Sequence, residues 1–369
     1  FHVPAQNLLY ADTKGNIGYQ MPGDVPIRKK GDGTLPVPGW TDDYEWTGFI
    51  PFEEQPYTFN PDQGYIVTAN NQVSPDDYPY LITKDWDYGF RADRIVNLIE
   101  SAPNKIDIAY IQNMHGDSYD ANGAIFVPLL LNLELDSDLN PALDTLKNWD
   151  YQDRADSTSA AVFNAFWRAF LKNTFNDDMP EERYYPDGGS RWNEVMRNMV
   201  KDTKDPFWDD KTTTDVIETM DYVMKKSFAD GVAELKDMYG NDMKKWIWGD
   251  MHSSTFRNTT LGESGVFLIE DLFNRGLFPT SGGEAIVNAT GWSAKDGYET
   301  NWLPSMRQIV DLGNLNNSVT VHTTGQSGHA YHEHYDDMAP LWAGIQYYPM
   351  WWEQESVIQD SAGHLQLLP

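Results

Sequence analysis

The chain has 369 residues, of which 40% are hydrophobic and 14% aromatic, a composition that supports a buried core and excludes a disordered chain. Lys and Arg number 27 against 56 Asp and Glu, and the resulting formal net charge of −29 argues against nucleic acid or anionic lipid as a partner. The absence of cysteine excludes disulfides, a Cys nucleophile and Cys-ligated metal sites, and no apolar stretch approaches the ~18 residues that a membrane-spanning helix needs.

The first residues, FHVPAQNLLYAD, do not begin with Met and have neither the basic region nor the long apolar run of a signal peptide. They are typical of the interior of a longer chain. Residues 6–20 predict a β-hairpin, because apolar runs at 8–10 and 17–19 flank a loop of turn-forming residues.

Residues 22–63 carry Pro and Gly throughout, which predicts an irregular segment that is functional or wraps a partner surface. The apolar run 65–69 predicts a short strand that ends at Asn70 and Asn71. A side-chain amide at a strand end is able to donate an N–H group to a developing oxyanion. Asn pairs also favour turns for purely local reasons, and from residue chemistry alone the turn is the better interpretation.

Apolar periodicity predicts three helices in the middle of the chain. They cover 91–101, 157–173 with Ser or Thr as N-cap, and a segment that begins at the capping cluster 212–215 and stops at Gly240. Gly231, inside the third helix, is a candidate position for a kink.

From residue 265 onward the pattern returns to strands, which are predicted at 265–269, 284–290, 307–312 and 318–323. Strands at both ends with helices between them predict an α+β fold. The expected division is a β-rich segment over 1–91, a mainly helical segment over 92–250 and returning strands over 251–369.

The run GHAYHEHYDD holds side-chain types that bind zinc, at His329, His332, Glu333 and His334. Their spacing is poor for one helical face, and on a strand a third ligand is not specified. A polar loop that carries packed His and Tyr side chains is the better interpretation.

The acidic segment SPDDYPYLITKDWDYG carries Asp76, Asp77, Asp85 and Asp87, whose oxygens suit Ca²⁺. The spacing of an EF-hand is absent, and a chain this acidic clusters Asp by chance. These residues alone therefore do not specify a calcium site.

Two other motifs carry little chemistry. The N-x-[ST] sequences at Asn258, Asn288 and Asn316 matter only in a eukaryotic secretory route. Ser327 lies in GQSGH, which lacks the G-x-S-x-G order of a nucleophile elbow.

A series of longer stretches carries a family resemblance. They are QNLLYADTKGNIGY (6–19), LPVPGW (35–40), WTGFIPFEE (46–54), GYIVTANNQV (64–73), DYPYLITKDWDYGFRADRI (77–95), HSSTFRN (252–258), FNRGLFPTSGG (273–283) and GQSGHAYHEHYDDMAPLWAGIQYYPM (325–350). Together they resemble the later part of the large β subunit of the penicillin acylase family of N-terminal nucleophile amidohydrolases. The first five occur in the family's order. The middle segment, 102–250, resembles the family only in its helical character.

The resemblance implies the four-layer αββα fold of N-terminal nucleophile hydrolases, of which this chain supplies a part with a helical insertion. It also implies hydrolysis of a linear amide such as penicillin G, autocatalytic processing of a precursor, no organic cofactor, and a periplasmic or secreted location. No nucleic acid and no membrane are expected as partners.

The resemblance assigns roles to four residues of this chain. Asn70 matches the family's oxyanion-hole Asn, and Arg94, which closes the ADR triplet, matches the active-site Arg that holds this Asn and the substrate region. Leu9 lies in the hairpin beside the acyl pocket of relatives and is expected to help line it. Asp85 is the nearest match to a carboxylate that binds Ca²⁺ in some relatives.

The nucleophile is the largest departure from the family pattern. Relatives expose a Ser, Cys or Thr at the first position of the β subunit, and its own α-amine serves as general base. This chain starts with Phe1. We therefore expect the nucleophile on an upstream β segment, with an α subunit as a further partner, and an inactive chain in their absence. The alternatives are an acyl-homoserine-lactone acylase and a non-catalytic binding protein that kept the fold.

Overall fold

The computed structural model describes residues 1–368, and the chain divides into two compact units, Phe1–Ser101 and Ala102–Pro369. Within residues 1–368, the first unit holds five strands and one α-helix, and the second holds five strands and ten α-helices. This mixture confirms the α+β class. The three-segment division of the sequence at residues 91 and 250 stays a prediction.

The elements of the first unit are β1 (Leu8–Ala11), β2 (Ile17–Gln20), β3 (Pro26–Arg28), β4 (Trp46–Phe49), β5 (Tyr57–Phe59) and α1 (Phe90–Glu100). Strands β1, β2 and β5 form an antiparallel sheet in that order, and β3 pairs with β4. The predicted hairpin is confirmed as β1 and β2. Its turn is held by Asp12, whose Oδ1 accepts the backbone N–H groups of Lys14 at 2.8 Å and Asn16 at 3.0 Å.

The segment 22–63 is more regular than predicted, because β3, β4 and β5 lie within it. The strand predicted at 65–69 is wrong. The backbone N–H of Ala69 donates to the Asn71 side chain at 2.9 Å instead of to a neighbouring strand, so the local hydrogen bonding of Asn prevails over the β propensity of the apolar run.

The two faces of the β1–β2–β5 sheet differ in burial. Tyr19 points to a small core that also contains Met21, Val25 and Ile50. The opposite face carries large apolar side chains that are more than half exposed on both sides of Gly18. These are Leu8, Tyr10, Tyr57 and Phe59, and we call them the open sheet face.

The helices of the second unit are α2 (Ile108–His115), α3 (Ala121–Leu131), α4 (Asn140–Leu146), α5 (Thr158–Phe175), α6 (Ser190–Met199), α7 (Met220–Tyr239), α8 (Trp248–Met251), α9 (Phe267–Phe273), α10 (Ala339–Ala343) and α11 (Gln354–Asp360). Its main apolar core is built around α5, which buries four Phe side chains completely or almost so. Over residues 1–368, no helix has the length and apolar character needed to cross a membrane.

Helices α5 and α7 match two of the predictions closely. Ser157 caps α5 as predicted, accepting the N–H of Ala160. Helix α7 stops before Gly240, whose φ of 79° favours glycine, as predicted. Its start was predicted wrongly: Thr219 is the N-cap, and the 212–215 cluster lies in a preceding loop held by Asp210 and Glu218.

Gly231 brings α7 against α5. A methyl group in its place would lie 2.7 Å from the backbone of Ala165 and Phe166. The glycine therefore allows close approach of the two helices.

The strands of the second unit are β6 (Ser253–Phe256), β7 (Arg275–Pro279), β8 (Met306–Ile309), β9 (Val319–His322) and β10 (Tyr348–Pro349). Strand β9 pairs with β8 and β10, which confirms the predicted strands near 307–312 and 318–323, and β6 pairs with β7.

Two predicted strands of this unit are wrong. The run 265–269 enters α9, because a short apolar run fits a strand and a helix equally well. Residues 284–290 form turns, where the side chains of Asn288 and Thr290 donate to the carbonyl of Ser281.

Candidate active site

Asn70 lies in a turn that precedes α1 by twenty residues, and its side chain is exposed. Its φ of 64° is left-handed, a conformation that Asn tolerates better than most residues with a side chain. The backbone carbonyl of Asn70 accepts the N–H of Asp87 at 2.9 Å, which ties this turn to the segment before α1. The turn therefore presents the Asn70 amide on a fixed backbone.

Arg91, in the first turn of α1, orients the side chain of Asn70. Its Nη2 donates to Asn70 Oδ1 at 2.8 Å and to the carbonyl of Ala69 at 2.9 Å, and it lies 3.5 Å from Asp87 Oδ2. A guanidinium has donors only, so the amide oxygen faces Arg91 and the Nδ2 group points away. Within residues 1–368, this Nδ2 donates no hydrogen bond. The amide is thus oriented as a donor with capacity for an external acceptor.

Asn71 has a different task from that of its neighbour. Its Oδ1 accepts the N–H of Ala69 at 2.9 Å, its Nδ2 donates to the carbonyl of Gln72, and its backbone forms an isolated bridge with Asp87. Both ends of this side chain are used within the turn. Asn71 therefore stabilises the turn, whereas the side chain of Asn70 projects from it.

Arg94 lies on α1, three residues after Arg91, and is half-buried. Arg91 makes a contact of the kind that the resemblance assigned to Arg94. The catalytic role of Arg94 stays a prediction. Arg91 was not among the site residues predicted from the sequence. The available signal was the Arg-x-x-Arg spacing in FRADRI, which puts both side chains near one face of a helix.

The roles expected of Leu9 and Asp85 rest on the resemblance alone. Leu9 lies on the edge strand β1, opposite Tyr19, and is half exposed. Asp85 is exposed, in a loop where its backbone N–H donates to Thr83 Oγ1 at 3.0 Å. Among residues 1–368, no three His, Cys, Asp or Glu side chains are grouped in a way that could hold a metal ion. The calcium role of Asp85 stays a prediction.

The His-rich run forms local hydrogen bonds. His334 Nδ1 lies 2.8 Å from Asp337 Oδ2, an interaction that raises the pKa of His334. The rings of His329 and His332 accept backbone N–H groups two residues further along. Ser327 likewise accepts the N–H of His329. These contacts are those of a polar loop.

The side chains of the three sequon Asn residues are used internally. Asn288 is buried and binds Arg307 and Ser281. Asn258 Oδ1 accepts two backbone N–H groups in its own turn, and Asn316 Oδ1 accepts those of Trp352 and Glu353. Each therefore has a structural explanation.

Comparison with known proteins identifies the family. Residues 1–359 match the family model described as penicillin amidase. An acyl-homoserine lactone acylase QuiP from Pseudomonas syringae pv. syringae (strain B728a) is 27% identical over 362 residues, which are 92% of this chain and 43% of that protein. The penicillin acylase 2 proenzyme from Pseudomonas sp. (strain SE83) is 28% identical over 370 residues, 98% of this chain and 46% of that protein. The chain thus spans less than half the length of these relatives.

A solved structure supports the fold. The thermostable penicillin G acylase from Alcaligenes faecalis superposes with a TM-score of 0.64 at 21% sequence identity, and the match covers 99% of this chain and 68% of that chain. This likeness confirms the fold expected from the sequence. The chain therefore belongs to the penicillin amidase family and has the α+β fold of N-terminal nucleophile hydrolases.

Proposed function

We propose that this chain is part of an acylase that hydrolyses a linear amide, and that Asn70 donates a hydrogen bond to the oxyanion of the reaction. The observation that carries the proposal is the orientation of Asn70, whose amide oxygen accepts from Arg91 while its Nδ2 has no acceptor in the described chain. A donor held in advance on a fixed turn stabilises developing negative charge without having to reorganise.

The reaction needs a nucleophile that we assign to an upstream segment. Its hydroxyl oxygen forms a bond to the amide carbon and its proton passes to the terminal α-amine. The tetrahedral oxyanion accepts the Nδ2–H of Asn70. The C–N bond then breaks, the amine leaves with a proton, and water hydrolyses the acyl-enzyme to release the acid and restore the nucleophile.

A linear amide such as penicillin G is the first substrate proposed. Acyl-homoserine lactones are the second, because several relatives that match more than nine-tenths of this chain are named acyl-homoserine lactone acylases. The same amide chemistry serves both. The proposed partners are the upstream β segment and an α subunit, and the open sheet face supports this because large apolar side chains favour burial.

The test uses the complete mature protein with Asn70→Asp and Asn70→Gly. The carboxylate of Asn70→Asp keeps an acceptor for Arg91 but has no N–H and repels the oxyanion, whereas glycine keeps the left-handed backbone and removes the side chain. Both should lower kcat by about 10²–10³ and change KM little, because the charge appears mainly in the transition state.

Asn71→Ala is the matched control, and its effect should fall on thermal stability because its side chain builds the turn. Precursor processing is measured for all variants. Normal processing together with near-wild-type kcat for Asn70→Asp would show that the oxyanion assignment is wrong. A complete protein without a Ser, Cys or Thr nucleophile would favour the non-catalytic binding protein.

A further inference from the structure

A small polar cavity lies in the second unit, away from Asn70 in the sequence. It has a volume of about 10 Å³, which is room for about one water-sized atom. Five polar side chains that are each more than nine-tenths buried line it: Asp120, the N-cap of α3; Asn122 in α3; Asp153, before α5; Asn164 in α5; and Asn193 in α6.

Three oxygen atoms of these side chains have no hydrogen-bond partner in the described chain. They are Asn122 Oδ1, Asp153 Oδ1 and Asn193 Oδ1. The remaining polar atoms are partly used, since Asn122 donates its backbone N–H to Asp120 Oδ1 at 2.7 Å and Asn164 Nδ2 donates to Asp153 Oδ2 at 3.1 Å. The unsatisfied atoms are all acceptors, and leaving such atoms buried and unpaired is costly.

Two buried carboxylates, those of Asp120 and Asp153, line the cavity. Its lining contains no Lys, Arg or His. Two neighbouring buried carboxylates therefore lack a positive partner among the side chains that line the cavity.

A single water molecule does not satisfy this arrangement. It has two hydrogens, whereas three orphaned oxygens need donors and the two carboxylates need positive charge. One cation in the same space interacts with all of the oxygens at once. Carboxylate and amide oxygens are the hard ligands that Ca²⁺ prefers, and a charge of +2 balances two carboxylates.

We propose that the cavity binds one Ca²⁺ ion through oxygens of Asp120, Asp153, Asn122 and Asn193. Only two of these ligands are carboxylates, and the amides supply the rest, which agrees with the absence of a group of three acidic or His ligands in residues 1–368. The ion would join the start of α3, the segment before α5, and α6. This site is separate in sequence from Asp85 and does not depend on the proposed catalytic role of Asn70.

The experiment measures calcium content and melting temperature of the complete mature protein in EDTA and in about 1 mM free Ca²⁺. The wild-type protein should melt about 5 °C higher with Ca²⁺. Asp153→Asn should bind about one Ca²⁺ fewer per molecule and should lose most of this rise in melting temperature. Asn193→Asp adds a carboxylate at an orphaned oxygen, so Ca²⁺ should raise its melting temperature more than it raises that of the wild type.

Two control variants separate this site from other effects. Asn176→Asp adds a carboxylate at another orphaned side-chain oxygen outside the cavity, and it should leave the calcium increment unchanged. Asp85→Asn removes the other expected calcium ligand. It should keep the rise in melting temperature that Ca²⁺ binding in the cavity causes. Unchanged calcium content in Asp153→Asn, or an Asn193→Asp variant destabilised equally with and without Ca²⁺, would overturn the proposal in favour of a water molecule or a shared proton.

Discussion

Arg91 Nη2 lies 2.8 Å from the side-chain oxygen of Asn70 and also holds the neighbouring carbonyl of Ala69. One guanidinium thus fixes both the backbone of the turn and the orientation of the amide that the turn presents. The side chain of Arg91 is itself largely buried, and Asp87 lies beside it. Arg91 is therefore a positioning residue for Asn70.

Replacing Arg91 should disturb catalysis through Asn70. In the complete protein, Arg91→Met removes the charged donor to Asn70 Oδ1 and frees the amide to rotate. A hydrogen bond to a charged group contributes about 1.5–3 kcal/mol, so kcat should fall roughly 10–100-fold with a small change in KM. Arg91→Lys should recover part of the loss, since an ammonium replaces one of the two contacts.

The matched control for Arg91 is Arg257→Met, because Arg257 pairs with Glu299 on the surface at 3.0 Å. This variant should keep wild-type kinetics. Loss of thermal stability in Arg91→Met with kcat retained would assign Arg91 a purely structural role.

His252 should make the second unit sensitive to acid. It is completely buried and stacks on Trp248, and burial lowers its pKa from 6.5 to about 4. The folded unit keeps the ring neutral, whereas the unfolded chain binds a proton below pH 6.5. The free energy of unfolding should therefore fall as the pH drops from 6.5 towards 4, by about 2 kcal/mol at pH 5, with no contribution from His252 above pH 6.5.

Denaturant unfolding at pH 7 and pH 5 measures this dependence. His252→Gln should be less stable at pH 7 because it loses the contacts with Tyr298 and Thr290, but its stability should change less between the two pH values. His364→Gln, at an exposed position, should retain the wild-type pH dependence. Equal pH dependence in His252→Gln would contradict the prediction.

Gly231→Ala should separate α5 from α7. The new methyl group would overlap the backbone of Ala165 and Phe166, and neither is a flexible side-chain end that could move aside. We expect a loss of about 2 kcal/mol or more in the free energy of unfolding, although Ala gains about 1 kcal/mol in helix propensity. Gly328→Ala, where nothing lies within 4 Å of the added group, should change stability by less than about 0.5 kcal/mol. Similar effects of the two variants would contradict close helix contact.

The open sheet face predicts how residues 1–369 behave when expressed alone. Contiguous exposed apolar side chains favour association, so this product should be insoluble or bind a hydrophobic dye strongly. The double variant Tyr57→Thr, Phe59→Thr should bind less dye. Ile217→Thr, a change at a single exposed position in the second unit, should leave dye binding almost unchanged. A monomer that melts cooperatively and binds no dye would show that this face needs no partner.

Local chemistry explains which elements could be predicted from the sequence. Asp12 and its turn join two apolar runs within a few residues, and Ser157 and Gly240 mark helix ends through their own backbone and side-chain preferences. The failures at 65–69 and 265–269 share a cause, because a short apolar run does not specify whether its backbone bonds to a strand, a helix or a side chain.

The sequence by itself determined the family resemblance, the α+β class and the position of Asn70. It could not determine that Arg91 contacts Asn70, because this contact joins α1 to a turn twenty residues earlier in the chain. Tertiary structure also decided that Gly231 is a helix contact and that Asp120, Asp153 and three Asn side chains surround one cavity. These residues come from separate elements, and their contacts exist only once long-range packing has brought those elements together.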